Sequence, residues 1–265
     1  MVSLLDHAPP RAADAMRCVD ALAPIGLGEL NDRAAPQDRT DVKYIVTLAQ
    51  LTALMHRLAP AYRALEIDGR RCFGYRTTYY DTADMLLVRE HLQRRRRRFK
   101  CRKRTYVDSG RSIFEVKLKA ARGRTIKHAM PCGPDDELQP AEAALLQEHL
   151  RASYGRELHE VLRPSLVATC RRMTIAAPEL GERLTCDVEL DFGGTRLDAG
   201  HAILESKSPG GGAAADRTLL AMGVRPVDSC SKYLLGMALT RHGVRDNNLR
   251  PLLRRYFTPA IAVDR

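Results

Sequence analysis

From Asp38 to Ser208, charged and apolar positions alternate with a period of two in stretch after stretch. Successive side chains of a strand point to opposite faces, so such stretches predict half-buried strands. In 98–106 one face carries Arg98, Lys100, Arg102, Arg104 and Tyr106. In 113–119 Glu115, Lys117 and Lys119 oppose Phe114, Val116 and Leu118. In 183–189 Arg183, Thr185, Asp187 and Glu189 oppose Leu184, Cys186 and Val188. Arg39, Asp41 and Lys43 oppose Val42, Tyr44 and Val46, and Glu205 and Lys207 oppose Leu204 and Ser206. Strands are expected at 39–46, 73–80, 86–92, 98–107, 112–120, 124–130, 165–175, 182–192 and 201–208. Short turns such as Asp108-Ser109-Gly110 and Arg122-Gly123 favour antiparallel hairpins.

Apolar spacing of three and four marks the helices. One runs from a Thr47 cap to about Leu58, with Leu48, Leu51, Leu54, Met55 and Leu58 on one stripe. Others are expected at Pro140–Leu162, at Ala213–Met222 ended by Gly223, and at Ser229–Arg241 ended by Gly243. Residues 1–37 are rich in Ala, Pro and Asp and read as a flexible tail with one short helix at Ala12–Ala23. Residues 38–242 read as one folded domain and 243–265 as a C-terminal extension. The predicted class is α+β.

Composition narrows the partners. Lys and Arg number 43 against 32 Asp and Glu, a net charge of +11 over 265 residues, which points to a polyanion. Trp is absent and aromatics are 5%, so a base-stacking surface is poorly supplied and no specific nucleic acid is expected. Seven cysteines without a C-x-x-C pair exclude a zinc ribbon and a small disulfide scaffold; reduced thiols and a cytoplasmic location are expected. No apolar run is long enough for a membrane span, and the scattered charges Asp6, Arg11, Asp14 and Arg17 predict no secretory signal. Oligomeric state has no signal in the sequence.

Five strands thus present charged faces. One explanation is a solvated sheet face. The other is a closed barrel whose charged faces line a wet tunnel, because adjacent cationic strands repel unless an anion lies between them. In that case the acids Asp187, Glu189 and Glu205 face inward and are candidate ligands of a divalent cation. Asp187 and Glu189 otherwise balance Arg172 and Arg183. Glu115 is either a metal ligand or an ion-pair partner, and His91 either touches phosphate or packs. Arg94–Arg97, in a stretch where nine of residues 94–104 are basic, reads as a solvated turn.

The ordered motifs resemble the VTC domain, the polyphosphate-polymerase branch of the triphosphate tunnel metalloenzymes. They are Arg39-Thr-Asp-Val-Lys43-Tyr44, Tyr75-Arg-Thr-Thr-Tyr-Tyr-Asp81-Thr82 with His91, and Arg98-x-Lys100-x-Arg102-x-Arg104-x-Tyr106. Phe114-Glu115-Val-Lys117-x-Lys119, Gly123-x-Thr125-x-Lys127 and Leu162-x-Pro164 follow. Arg171-Arg172, Arg183-Leu-Thr-x-Asp187, Leu204-Glu205-x-Lys207 and Ser231-Lys232-Tyr233 complete the set. Cys170 stands where the family usually has Tyr, and Asp41 replaces the usual first-strand residue. The resemblance implies an eight-stranded antiparallel barrel with helices outside. It implies transfer of the terminal phosphoryl group of ATP onto inorganic polyphosphate, with Mn2+ or Mg2+; hydrolysis of a triphosphate is the alternative, and non-catalytic polyanion binding a third. It carries phosphate binding to Lys43, Arg102, Arg104, Lys117, Lys127, Arg172, Arg183, Ser231 and Lys232, and metal binding to Glu205. By strand parity Arg98, Lys100, Lys119 and Lys207 join the phosphate ligands, and Glu189 joins Glu205 at the metal. Lys43, Arg102, Arg104, Lys117 and Glu205 would carry the chemistry.

Overall fold

The computed structural model describes residues 16–33, 40–120, 124–228, 230–244 and 247–258. Arg39, the Arg122-Gly123 turn and Ser229 lie outside the described residues. The early elements are a 3-10 turn Arg17–Ala21, β1 (Ala23–Ile25), α1 (Leu27–Arg33), β2 (Thr40–Thr47), α2 (Leu48–Leu58), β3 (Arg63–Leu65), β4 (Cys72–Asp81) and α3 (Leu86–Leu92). The middle of the chain forms β5 (Phe99–Tyr106), β6 (Ser112–Lys119), β7 (Thr125–Cys132), α4 (Pro140–Tyr154), β8 (Arg163–Ala177), β9 (Glu182–Asp191), β10 (Arg196–Leu197) and β11 (His201–Ser208). The last are α5 (Ala214–Ala221), α6 (Lys232–Thr240), α7 (Arg250–Tyr256) and β12 (Phe257–Thr258). The class is α+β with one large, mainly antiparallel sheet.

The sheet order runs β12-β10-β9-β8-β4-β5-β6-β7, with β11 joining β9 to β2. Among the described strands β7 pairs only with β6 and β2 only with β11, so both are edges and the hydrogen-bonded order is not a closed ring.

The chain divides into two compact units. The first takes the described part of Met1–Phe73 with Arg171–Glu189 and Leu197–Asp228; the second takes Gly74–Cys170, Leu190–Arg196 and the residues from Cys230 on. In the first, α2 follows β2 directly. Thr47 closes a capping box, accepting from the Gln50 amide (3.1 Å) while Gln50 accepts from the Thr47 amide (2.9 Å). The predicted stripe Leu48, Leu51, Leu54, Met55 and Leu58 is buried against Tyr44, Val46, Met173, Ile175, Leu184, Cys186 and Leu204. Cys18, Val19 and Leu22 join this core, and β1 pairs in parallel with β3. Residues 17–33, read from sequence as tail, are therefore regular elements with buried apolar side chains.

In the second unit β4 to β7 form an antiparallel meander. Phe99, Cys101, Phe114, Val116 and Leu118 are buried on one face, as the alternation predicts. α4 packs on β6 and β7, burying Leu146, Leu150 and Tyr154. It opens with Pro140 and a Gln139–Glu142 cap and stops at Gly155 in the left-handed region (φ 62°), well before the predicted Leu162. One element differs in type. Residues 86–92, expected as a strand, form helix α3. The buried Asp81 carboxylate accepts from the amides of Leu87 (2.8 Å) and Val88 (3.1 Å), and the Thr82 hydroxyl accepts from Leu86 (2.9 Å). Those acceptors satisfy the first-turn amides and nucleate the helix.

Candidate functional site: two basic sheet faces

The second unit carries the denser face. Cross-strand register places Tyr79 opposite Arg102, Arg102 opposite Glu115, Lys100 opposite Lys117, and Lys117 opposite Lys127. Lys100, Lys117 and Lys127 thus form a row of three ammonium groups across β5, β6 and β7. Like charges directly opposite each other destabilise a sheet. Beside that row lies Glu115, 2% exposed. It takes Arg102 Nε at 2.6 Å, Lys127 Nζ at 2.8 Å and Arg104 at 3.4 Å. Burial alone would raise its pKa, but Arg102, Lys117 and Lys127 more than offset that and hold it well below the usual carboxylate range. Glu115 is therefore an ion-pair partner, the second of its two predicted roles.

The guanidinium groups are also held from the β4 side. Arg102 donates to the Tyr79 hydroxyl (3.4 Å) and lies 6.0 Å from that ring; Arg104 lies 5.7 Å from the Tyr75 ring. Tyr75 and Tyr79 share strand parity, the signal that would have found them. Lys100 donates to Ser231 Oγ (3.3 Å), the residue before α6, and Lys232 opens that helix. Arg98 donates to the Arg95 carbonyl (2.7 Å), and Lys119 to the Thr125 hydroxyl (3.4 Å). Lys103 takes the opposite side of β5. It is 2% exposed, paired with buried Glu142 (3.1 Å), and donates to the carbonyls of Asp135 and Glu137.

His91 packs. Its Nδ1 lies 2.9 Å from the Leu87 carbonyl, which only accepts, so that nitrogen carries the proton. The ring stands edge-on to Tyr233. Burial, then the cations Lys100, Arg98 and Lys119, push its pKa down to about 3, leaving the imidazole neutral at physiological pH. Tyr233 donates to Asp81 (2.5 Å), so the Ser231-Lys232-Tyr233 motif is anchored on the carboxylate that caps α3.

The first unit builds a second face on β2, β11 and β9. Glu205 lies opposite Lys43 on one side and Thr185 on the other, and Lys207 lies opposite Asp41 and Arg183. Glu205 Oε1 is 3.8 Å from Lys43 Nζ, and Oε2 is 3.0 Å from Lys207 Nζ. Burial lowers the Lys207 pKa and Arg172 adds to that, while Glu205 and Asp41 oppose it. Thr185 is buried, and its hydroxyl has no hydrogen-bond partner in the described structure. Arg172 grips buried Asp187 with two bonds, 2.5 and 2.7 Å. Asp187 therefore balances Arg172. Arg183 reaches the Leu30 carbonyl in α1 (2.9 Å). Glu189 is exposed within β9, where its backbone takes a left-handed φ of 52°.

Among the described residues no three His, Cys, Asp or Glu side chains gather as a metal nest. Glu205 is one carboxylate between two ammonium groups. That donor set suits a cation delivered with a phosphate chain, whose other ligands are phosphate oxygens and water, rather than a resident ion. No described helix is long and apolar enough to cross a membrane. All seven cysteines are free thiols.

No curated protein sequence matches the chain. The solved structures that align with the chain are distant. A candidate adenylate cyclase from Vibrio parahaemolyticus is 14% identical, covering 77% of this chain and 88% of that one, with a TM-score of 0.41. A Pyrococcus horikoshii protein is 10% identical over 76% and 98%, with a TM-score of 0.46. A candidate adenylyl cyclase from Hippeastrum, described as having a dominant triphosphatase activity, is 14% identical over 77% and 98%, with a TM-score of 0.47. The family described as VTC domain matches residues 38–241, well over half of the chain and the span that holds both basic faces, and the protein belongs to that family.

Proposed function

We propose that this protein is a phosphotransferase that makes inorganic polyphosphate from ATP. The observation that carries the reading is the cationic row on β5–β7, with the Arg102–Glu115 pair beside it, within a VTC domain. Phosphoryl transfer needs little covalent chemistry from the protein. It needs positioning and neutralisation of charge spread over phosphate oxygens. Arginine forks grip two oxygens at once and lysines add point charges. On this reading Arg102 and Arg104, fixed by Glu115 and the tyrosines, orient the phosphate chain. Lys100, Lys117, Lys119 and Lys127 neutralise it. Lys43, Lys207 and Arg172 serve phosphate on the first unit's face, with Ser231 and Lys232 as further ligands.

Glu205 is the proposed ligand for a divalent cation, Mn2+ or Mg2+, that enters with the triphosphate. The cation supplies further charge neutralisation. Glu189, exposed at a left-handed position of β9, is a weaker partner for it. The eight-stranded tunnel is part of the same proposal.

The test is incubation of the purified protein with ATP and Mn2+, with products resolved by gel and by free-phosphate release. A ladder of long polyphosphate, absent in Glu205→Gln, is expected. Free phosphate without a ladder would replace the polymerase by a triphosphatase. Tight triphosphate binding with neither product would leave a binding module.

A further inference from the structure

The second unit holds a cavity of about 540 Å3 formed by α3, the turn after it and Arg156. That volume is within the ~300–1,000 Å3 typical of small-ligand sites. Its walls carry five guanidinium groups, from Arg89, Arg95, Arg96, Arg97 and Arg156, against one carboxylate, Glu90. These arginines are not on the strand faces already described.

The cluster is built rather than merely solvated. Arg94 adopts φ 54° and ends α3 in a Schellman turn: the Arg95 amide donates to the Glu90 carbonyl (2.9 Å) and the Arg94 amide to the His91 carbonyl (3.1 Å). This turn brings Arg95–Arg97 back alongside the helix. Arg97 donates to the Tyr154 carbonyl (3.0 Å), which fixes it without neutralising it. Arg95 donates to the neutral Gln93 amide oxygen (2.9 Å). Arg156 bridges Glu90 and the Arg97 carbonyl (both 3.1 Å). Arg89 is tied to Asp84 (2.5 Å). Several positive charges are thus held around one hollow with little countercharge, an arrangement that gains when an anion enters.

The wall chemistry selects among anions. It contains no aromatic ring and one apolar side chain, Leu86, so it lacks the aromatic platform on which a nucleobase stacks. We propose that this cavity is a second anion site that takes an inorganic oligophosphate rather than a nucleotide or nucleic acid. The proposal does not depend on the reaction assigned above.

Calorimetric titration with inorganic tripolyphosphate at low salt tests it. In a Lys117→Ala/Lys127→Ala chain, weakened on the β5–β7 face, one binding event is expected to remain. Adding Arg95→Ala and Arg96→Ala is expected to weaken that event by about tenfold or more. Arg95 and Arg96 are exposed and brace no other element, so the fold should tolerate the change, which thermal melts verify. If the lysine variant does not fold, the native chain decides: the arginine pair should lower the number of tripolyphosphates bound by one. Unchanged affinity and stoichiometry would overturn the site. So would an equal weakening for single-stranded oligothymidylate of similar charge, because the arginines would then be a general polyanion patch.

Discussion

Glu115 shows how one side chain organises a basic face. It is buried and bonded to three cations, so removing its charge leaves Arg102, Arg104 and Lys127 facing each other. Glu115→Gln is expected to cost about 3–5 kcal/mol in urea unfolding without ligand. Part of that loss should return when tripolyphosphate is added, because phosphate replaces the missing negative charge; no recovery would argue against phosphate on this face. Two buried groups contribute to the acid response. His91 has a folded pKa of about 3, below its unfolded value of 6.5, so the unfolded state binds its proton first. Stability should therefore fall as pH drops below 6.5, by about 1–2 kcal/mol at pH 5. Glu115, depressed in the fold, adds its own loss only below its unfolded value of 4.5. His91→Gln should flatten urea-melt stability between pH 7 and 5 while leaving the steeper loss below. At this scale the faces of Arg102, Lys117 and Glu205 were legible from parity. Lys103 was not: it sits in the same basic run, and its partner Glu142 is a helix-opening acid far along the chain.

Among the elements, α3 marks where sequence reading ran out. Leu86, Leu87 and Val88 form a short apolar run that period alone cannot assign. The deciding groups lie outside it. Asp81 caps the helix from β4, and Arg94, not glycine, ends it in a left-handed turn. The helices opened by Thr47 and Pro140, whose caps and stops are local, were readable. Asp81→Ala should leave three amides, those of Thr82, Leu87 and Val88, without their acceptor and strand the Tyr233 hydroxyl, costing about 2–4 kcal/mol in thermal or urea unfolding. Because Tyr233 follows Ser231 and Lys232, the same variant should also weaken phosphate binding. Arg94→Gly acts in the opposite direction: glycine relieves the left-handed strain, and a gain of about 1 kcal/mol is expected. In α6, Gly236 is a close-approach position, since a Cβ there would run into Leu166 and Phe192. Gly236→Ala should cost about 1–3 kcal/mol by overpacking.

For the whole molecule, a charge of +11 has two consequences of opposite sign. Without ligand, self-repulsion works against the compact state, so neutral salt should raise the melting temperature. With phosphate bound, attraction between the chain and the ligand is what stabilises, so the same salt should shrink the ligand's benefit. At a free concentration of about 100 Kd a single site contributes about 2.7 kcal/mol. For a chain of this size that is a rise of roughly 5–10 °C in melting temperature. Tripolyphosphate at low salt should give that rise, and 1 M salt, where the Debye length is about 3 Å, should remove most of it. The charge was legible from composition alone, whereas the two units were not. Each is assembled from separate stretches of chain, so no linker or change of composition marks a boundary. A salt series with and without tripolyphosphate therefore reads directly what composition implies. Melting curves that rise with salt alone and converge with the ligand curves would tie the surplus charge to phosphate binding. A tripolyphosphate shift that survives 1 M salt would mean that a few geometric contacts, such as the Arg102 and Arg104 forks, hold the ligand and the remaining charge serves solubility.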